Sequence, residues 1–151
     1  MAQKPRTKAQ AGFGSTFGIK AIGASDYTKV AEVTAITPPG QTRDTIDATH
    51  LESPDGVKEF IGGLIEGGEA SITINFEAEQ AIALQTRFAT DGGAADYRIT
   101  FPKGTHALDF AGVATEFTLG EIVGDDKMSA TFNIKASGLP AIVALAPAGG
   151  A

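Results

Sequence analysis

Residues 50–69 read "HLESPDGVKEFIGGLIEGGE". The stretch is rich in glycine and acid, yet it holds Val57, Phe60, Ile61, Leu64 and Ile65. A solvated loop has no use for five large apolar side chains, and a core element has little use for Gly62, Gly63, Gly67 and Gly68. The stretch lies in a connection spanning residues 38–68, between two segments that read as strands. A connection of that length inside a compact domain is either functional or disordered. Its apolar content argues against a plain linker, since those five side chains exposed together make a sticky patch. Burying them is worth roughly 1.5–3 kcal/mol each. Residues 38–68 are therefore expected to be a long strand–strand loop that orders when a partner covers it.

The segments around this loop set the fold class. Residues 69–77, "EASITINFE", alternate without a break: Ile72, Ile74 and Phe76 face one way, and Ser71, Thr73, Asn75 and Glu77 the other. That is a half-buried strand. Residues 15–22 and 28–37 read as two earlier strands, the second rich in β-branched residues and stopped by Pro38-Pro39-Gly40. Residues 78–90 are expected to be the one helix, with Ala81, Leu84, Gln85 and Phe88 at helical spacing and Ile82 widening the stripe. Asp91-Gly92-Gly93 ends it. "VKEFIGGLI" (57–65) is read as one or two helical turns at most, because its glycines oppose a longer helix.

Downstream, residues 95–101 put Tyr97, Ile99 and Phe101 on one face. Residues 106–122 form a long segment whose apolar parity switches near Ala111-Gly112, which predicts a bulge. Residues 127–136 return with Met128, Ala130, Phe132 and Ile134 inward. The resulting prediction is a mainly β protein: a two-sheet antiparallel β-sandwich or barrel with one flanking α-helix and a long strand–strand loop. Residues 15–145 form its single domain, between a flexible N-terminal arm (1–14) and a flexible C-terminus (146–151).

Composition fits one domain of 151 residues with 42% hydrophobic and 20% charged residues. There is no cysteine, hence no disulfide framework, thiolate metal site or cysteine nucleophile. No apolar run approaches the roughly 18 residues of a membrane span, and the N-terminus has no continuous apolar stretch of the secretory kind, so no membrane association is expected. Charge is unevenly spread. Residues 1–20 carry Lys4, Arg6, Lys8 and Lys20 and no acid, whereas residues 41–70 carry Arg43 and Lys58 against seven acids, including Asp44, Asp47 and Asp55. A basic arm and an acidic loop in one chain can attract each other, within a subunit or between neighbours, or stay two solvated segments that never meet.

The inventory for chemistry is thin. His50 lies near Asp47, Glu52 and Ser53, but a Ser–His–Asp relay needs rigid geometry that this stretch is not expected to supply. His106 opens a strand beside a turn. No His-Glu-x-x-His or calcium-loop spacing occurs, and "GFGSTFG" (12–18) lacks the Lys-Ser/Thr of a phosphate loop. Neither a basic patch with interleaved aromatics nor overall basicity points to nucleic-acid gripping. No catalytic residue, cofactor or metal is assigned, and the reading moves to a structural or binding protein.

Residues 33–77, "VTAITPPGQTRDTIDATHLESPDGVKEFIGGLIEGGEASITINFE", resemble long-tailed, lambda-like phage tail tube proteins. The matching features are a strand, a Pro/Gly break, "TRDTID", "SPDGVKEFIGGLIEGGE" and an alternating strand. The resemblance implies a β-sandwich with a flanking helix, without the extra immunoglobulin-like domain some members carry. It implies hexameric rings that stack into a hollow tube conducting DNA without binding it specifically. The partners would be further copies of the chain, a tail-tip initiator, tape-measure and tail terminator proteins. The place would be the tail of a virion or gene-transfer particle, assembled in the bacterial host cytoplasm. The subunit and ring interfaces are expected to use Lys4, Arg6, Lys8, Arg43, Asp44, Asp47, Pro54, Asp55, Val57, Phe60, Ile61, Leu64 and Ile65. Ser71, Thr73, Asn75 and Glu77 are the lumen candidates. A type VI secretion-like tube subunit is the nearest alternative. A small-ligand carrier on a β-barrel is the alternative of a different class.

Overall fold

The alternating stretch at 69–77 is a strand, set between two others in an antiparallel sheet. The computed structural model describes residues 9–145. Its strands are β1 (Thr16–Lys20), β2 (Thr28–Val30), β3 (Val33–Thr37), β4 (Gln41–Asp47), β5 (Phe60–Gly67), β6 (Glu69–Asn75), β7 (Ala94–Thr100), β8 (His106–Leu119), β9 (Ser129–Ala136) and β10 (Ala141–Ala144). The helix α1 (Ala78–Ala89) follows β6. Eight strands form one sheet with the order β2-β1-β7-β8-β9-β6-β3, and β10 adds to the free side of β8. β4 and β5 make a separate two-stranded ribbon.

The two layers of the predicted sandwich are thus one sheet curled on itself, so that β1 comes back against β3. The inner faces share a core that includes Phe17, Val30, Ile72, Ile74, Leu84, Ile99, Phe110, Phe132 and Ile134. Tyr97 sits at its centre. Its ring stacks on Phe17 at 5.9 Å and on Phe110 at 5.6 Å, and meets Phe132 at 6.3 Å. Such pairs add about 0.5–1.5 kcal/mol each beyond burial. The phenol keeps one partner, the Gly93 carbonyl at 3.3 Å.

β8 holds the two halves together. One edge pairs β7 up to Val113; the other pairs β10 over 106–109 and β9 over 112–119. Gly112 lies where the halves cross. A Cβ there would stand 2.6 Å from Ile134 Cγ2 and 2.9 Å from the Lys135 carbonyl oxygen, so only glycine fits. The bulge falls at Thr115, between Ala114 and Glu116, a few residues beyond the predicted Ala111-Gly112. Gly112 keeps its inward parity, and the extra residue is taken up only after β7 has ended.

Three other expectations are corrected. Residues 28–37 are two strands, broken at Ala31-Glu32, because β2 and β3 occupy opposite ends of the strand order. Glu32 makes the crossing at φ 58°, its carbonyl accepting from the Asn75 amide at 2.9 Å. The helix buries Ala81 and Leu84 but exposes Ile82, Gln85 and Phe88. Gln80 and Arg87 take the inner row instead, because their polar ends find backbone partners at Ala31, Thr90 and Ala94. Finally, 57–65 is not helical: Phe60–Gly67 is a strand and 38–68 a hairpin rather than an irregular loop.

Burial pushes the Tyr97 phenol up to about 12, with Arg87 opposing the shift, and Tyr27 is also raised, mainly by burial. A folded-state pKa above the unfolded one stabilises the fold below the unfolded value and loses that contribution as pH rises through the folded value. Alkaline unfolding is therefore expected between about pH 10 and about 12. The chain has two tyrosines and no tryptophan, so phenolate absorbance reads this directly. Ionisation of both tyrosines near pH 10 in a protein that remains folded would contradict the assignment.

Candidate functional site: a protruding apolar hairpin

β4 and β5 leave the body as a ribbon. Every residue of β4 is exposed, and on β5 only Gly67 is buried. The register pairs Gln41 with Gly67, Arg43 with Ile65, Thr45 with Gly62, Ile46 with Ile61 and Asp47 with Phe60. Two residues of β5, Gly63 and Leu64, oppose Asp44 alone, so the ribbon bulges there. Phe60 (56% exposed), Ile61 (55%) and Leu64 (84%) stand in solvent together with Ile46, Val57 and Ile65. An isolated two-stranded hairpin is at best marginally stable in water.

The glycines answer the question raised by the sequence: they serve close approach. A Cβ on Gly62 would meet the Arg43 side chain at 3.1 Å, and that side chain donates to the Gly63 carbonyl at 3.2 Å. A Cβ on Gly67 would meet Ala136 Cβ and the Gly138 carbonyl oxygen, each at 2.8 Å. Gly68 donates to the Gly40 carbonyl at 2.7 Å, and its own carbonyl accepts from Ala136 at 2.9 Å. Gln41 donates to the Pro140 carbonyl at 2.7 Å, and Lys135 Nζ pairs with Glu66 at 2.8 Å. Lys135 holds the Glu66 carboxyl below its ordinary range. These contacts fix the base of the ribbon on β9 and on the connection that follows it.

The tip, 48–59, is an organised turn. Glu59 is its hub: its carboxylate accepts from Ser53 Oγ at 2.6 Å and stands 3.3 Å from His50 Nε2, while its amide donates to Thr49 Oγ1 at 2.8 Å. Asp47 accepts from Thr49, and that hydrogen bond lowers its pKa. Pro54 and Asp55 form a short 3₁₀ turn with Asp55 at φ 57°. No Ser–His–Asp relay is built here. Ser53 Oγ gives its proton to Glu59, and His50 Nδ1 accepts from the Glu52 amide at 3.1 Å. Among the described residues no group of three or more His, Asp or Glu could hold a metal ion.

The outer face of β3, β6, β9 and the far half of β8 is a second feature. Ser71 lies opposite Asn133, and Thr73 opposite Thr131. Glu32 accepts from Asn75 at 3.1 Å, Glu116 from Asn133 at 3.3 Å and Glu69 from Thr115 at 3.3 Å. Three acids are thus held by neutral donors. Glu77 lies beyond the end of β6 and caps α1, accepting from the Gln80 amide at 3.2 Å. The expected contacts at Lys4, Arg6 and Lys8, and the expected C-terminus 146–151, lie outside the described residues.

The sequence profile of the lambda phage tail tube protein family matches residues 12–143. The chain belongs to that family. It is a structural subunit of a tail tube. No curated protein matches it. Among solved structures, a subunit from the tail of an empty gene transfer agent particle, refined with C6 symmetry, is similar at TM-score 0.70 and 18% identity, covering 89% of this chain and 99% of its own. A chain of the sixfold-symmetrised anti-feeding prophage baseplate gives 0.69 at 6% identity, covering 94% and 97%. The SPP1 tail tube gives 0.61 at 8% identity, covering 89% and 79%.

For this tail tube subunit, the hairpin base is the part where a small change has a large structural consequence. Gly67→Ala must displace both Ala136 and the Gly138 carbonyl and is expected to destabilise the fold by about 1–3 kcal/mol in urea unfolding. Gly124→Ala, whose added methyl group would have no other atom within 4 Å, serves as the neutral control. Equal midpoints for the two variants would contradict the packing described.

Proposed function

We propose that the chain builds hexameric rings that stack into a hollow tube through which DNA passes. The observation that carries this reading is the ribbon 41–67, whose apolar side chains are exposed on one subunit and need a neighbouring chain to cover them. Ile46, Val57, Phe60, Ile61, Leu64 and Ile65 supply the apolar contact, with Arg43, Asp44, Asp47, Pro54 and Asp55 around it. Lys4, Arg6 and Lys8 of one subunit approach the acids of a neighbour's hairpin.

Ser71, Thr73 and Asn75 face the lumen in this arrangement, beside Thr131 and Asn133. Glu77 serves the helix instead. Glu32, Glu69 and Glu116 give that face negative charge, and the one lysine on these strands' outer face, Lys135, is neutralised by Glu66. A phosphate backbone therefore finds repulsion rather than a grip. The role is structural rather than enzymatic. Tail-tip, tape-measure and terminator proteins are its further partners, and assembly takes place in the host cytoplasm.

The purified protein, viewed by negative-stain electron microscopy across a concentration series, is expected to show rings or hollow tubes of sixfold symmetry. Particles of subunit size at every concentration, with or without a tail-tip initiator, would refute the proposal. Phe60→Ser with Ile61→Ser is expected to keep the circular dichroism of the folded subunit while abolishing stacking, since neither side chain belongs to the core. Loss of the fold would place them in it. Deleting residues 1–10 should weaken assembly, most at low salt where attraction between arm and hairpin is least screened. Unchanged assembly at all salt concentrations would remove the arm from the interface.

A further inference from the structure

Aspartate is followed by glycine at two places in the chain, Asp55-Gly56 and Asp91-Gly92. The pairing has its own chemistry, because glycine has no side chain to shield its amide nitrogen from the neighbouring carboxyl carbon. The structure makes the two sites a matched comparison. Each lies in a short 3₁₀ turn with both residues in the left-handed region: Asp55 at φ 57° and Gly56 at 66°, Asp91 at 54° and Gly92 at 65°. An aspartate in that region is held there by its surroundings. Space does not separate the sites either, since a Cβ on Gly56 or on Gly92 would meet nothing within 4 Å.

The restraints do separate them. Asp91 follows the end of α1, and its carboxylate pairs with Arg87 Nη2 at 3.2 Å. The same nitrogen donates to the Thr90 carbonyl at 2.9 Å. Gly93, next after the pair, is buried, and a Cβ on it would stand 2.9 Å from the Ala114 carbonyl oxygen. Turning the backbone at Asp91 therefore breaks an ion pair and disturbs the packing on β8. Asp55 sits at the tip of the ribbon, with Pro54, Gly56 and Val57 exposed around it. Its carboxylate makes no ion pair among the described residues, and the hydrogen bonds of the tip go to Asp47, Ser53, Glu59 and Thr49 instead. The Gly56 amide donates to the Ser53 carbonyl at 3.3 Å. A segment with few buried apolar contacts and solvent-exposed hydrogen bonds opens locally before the rest of the fold.

We infer that Asp55 is a site of spontaneous aspartate-to-isoaspartate isomerisation in the dispersed subunit, and that Arg87 and the packing of Gly93 protect Asp91 from the same reaction. In the opened turn, the Gly56 amide nitrogen attacks Asp55 Cγ. A C–N bond forms, and the amide hydrogen leaves with the carboxyl hydroxyl as water, giving a cyclic imide. Water then adds to one of the two imide carbonyls. Opening one way restores aspartate. Opening the other way carries the main chain through the side-chain carbons, lengthens it by one methylene and frees the α-carboxylate. No electron is transferred, water is the only co-reactant, and the mass is unchanged. A main chain lengthened here cannot keep both turn bonds, Gly56 to Ser53 and Val57 to Pro54, in register. One consequence rests on the ring reading above: converted subunits present an altered tip, so subunits left unassembled lose competence with age.

The full-length protein is kept dilute and warm at neutral pH, sampled over time and cleaved with trypsin. Asp55 falls in peptide 44–58 and Asp91 in peptide 88–98. Enzymatic methylation of the freed α-carboxylate reads isoaspartate, and electron-transfer fragmentation locates it. Position 55 is expected to convert several times faster than position 91 in the folded protein, and at a similar rate in urea, where both turns are lost. Equal rates in the folded protein, or a difference that persists unchanged in urea, overturn the inference. Asp55→Glu, whose imide needs a larger and slower-closing ring, is expected to remove the signal from peptide 44–58. A signal that remains belongs to Asp44 or Asp47 and also overturns it. Tubes grown from an aged stock are expected to hold less isoaspartate than the subunits left behind. Equal content overturns the loss of competence, whereas fresh and aged stocks that both fail to form tubes overturn the ring reading and leave the measured isomerisation standing.

Discussion

Everything else in this fold depends on β8 serving two layers at once. Its first half pairs β7 on one edge and β10 on the other, and its second half pairs β9 alone. A strand shared in this way must bend, and it does so where the sequence permits. Gly112 lets β9 cross at a distance no side chain allows, and the extra residue at Thr115 takes up the change of direction. The curl brings Phe17, Phe110 and Phe132 around Tyr97, and that stack fixes how far the two layers can separate. The same bend ends the β7 pairing early and, among the described residues, leaves one edge of β8 without a partner strand. The interior of the subunit and its unfinished border have a common origin.

The hairpin follows a different logic. Nothing in the core of the subunit needs it, since none of Ile46, Phe60, Ile61 or Leu64 belongs to the buried cluster. It is nevertheless tied firmly at its base through Gly67, Gly68, Gln41 and the Lys135–Glu66 pair. A segment anchored so closely, with its apolar side chains left in solvent, supports the proposal that it meets another chain. The acids are placed with similar economy. On the polar face, Asn75, Asn133 and Thr115 orient carboxylates without cancelling their charge.

Much of this was legible in the residues. The alternation at Ile72 and Ile74, the Tyr97 and Ile99 face and the return through Phe132 and Ile134 are period-two patterns set by burial, and they match strands with those faces inward; the expected Phe76 lies just past the end of β6 and is half-buried. The exposed apolar cluster at 57–65 was also readable, because such a run has no explanation in a monomer. Its strand conformation was not. Local propensity weighs four glycines against regular structure, while the reason for them, the approach of Arg43, Asp44, Ala136 and Gly40, lies in distant parts of the chain. The helix stripe failed for a related reason. Hydrophobic spacing favoured Phe88 and Ile82, but Gln80 and Arg87 had backbone partners to satisfy, and those decided the rotation of the helix. The hub at Glu59 left no sequence signal, because its partners His50 and Ser53 are ordinary loop residues until the turn is closed.

The central claim is that the hairpin is completed by neighbouring subunits, and amide hydrogen exchange tests it most directly. In dispersed subunits, the amides of 41–47 and 60–67 should exchange much faster than those of β6 and β9, whose strands are paired on both sides. In assembled tubes, the hairpin amides should slow to the level of the core strands. Hairpin amides that stay fast in the tube, or that are already as slow as β6 in the dispersed subunit, would contradict the account.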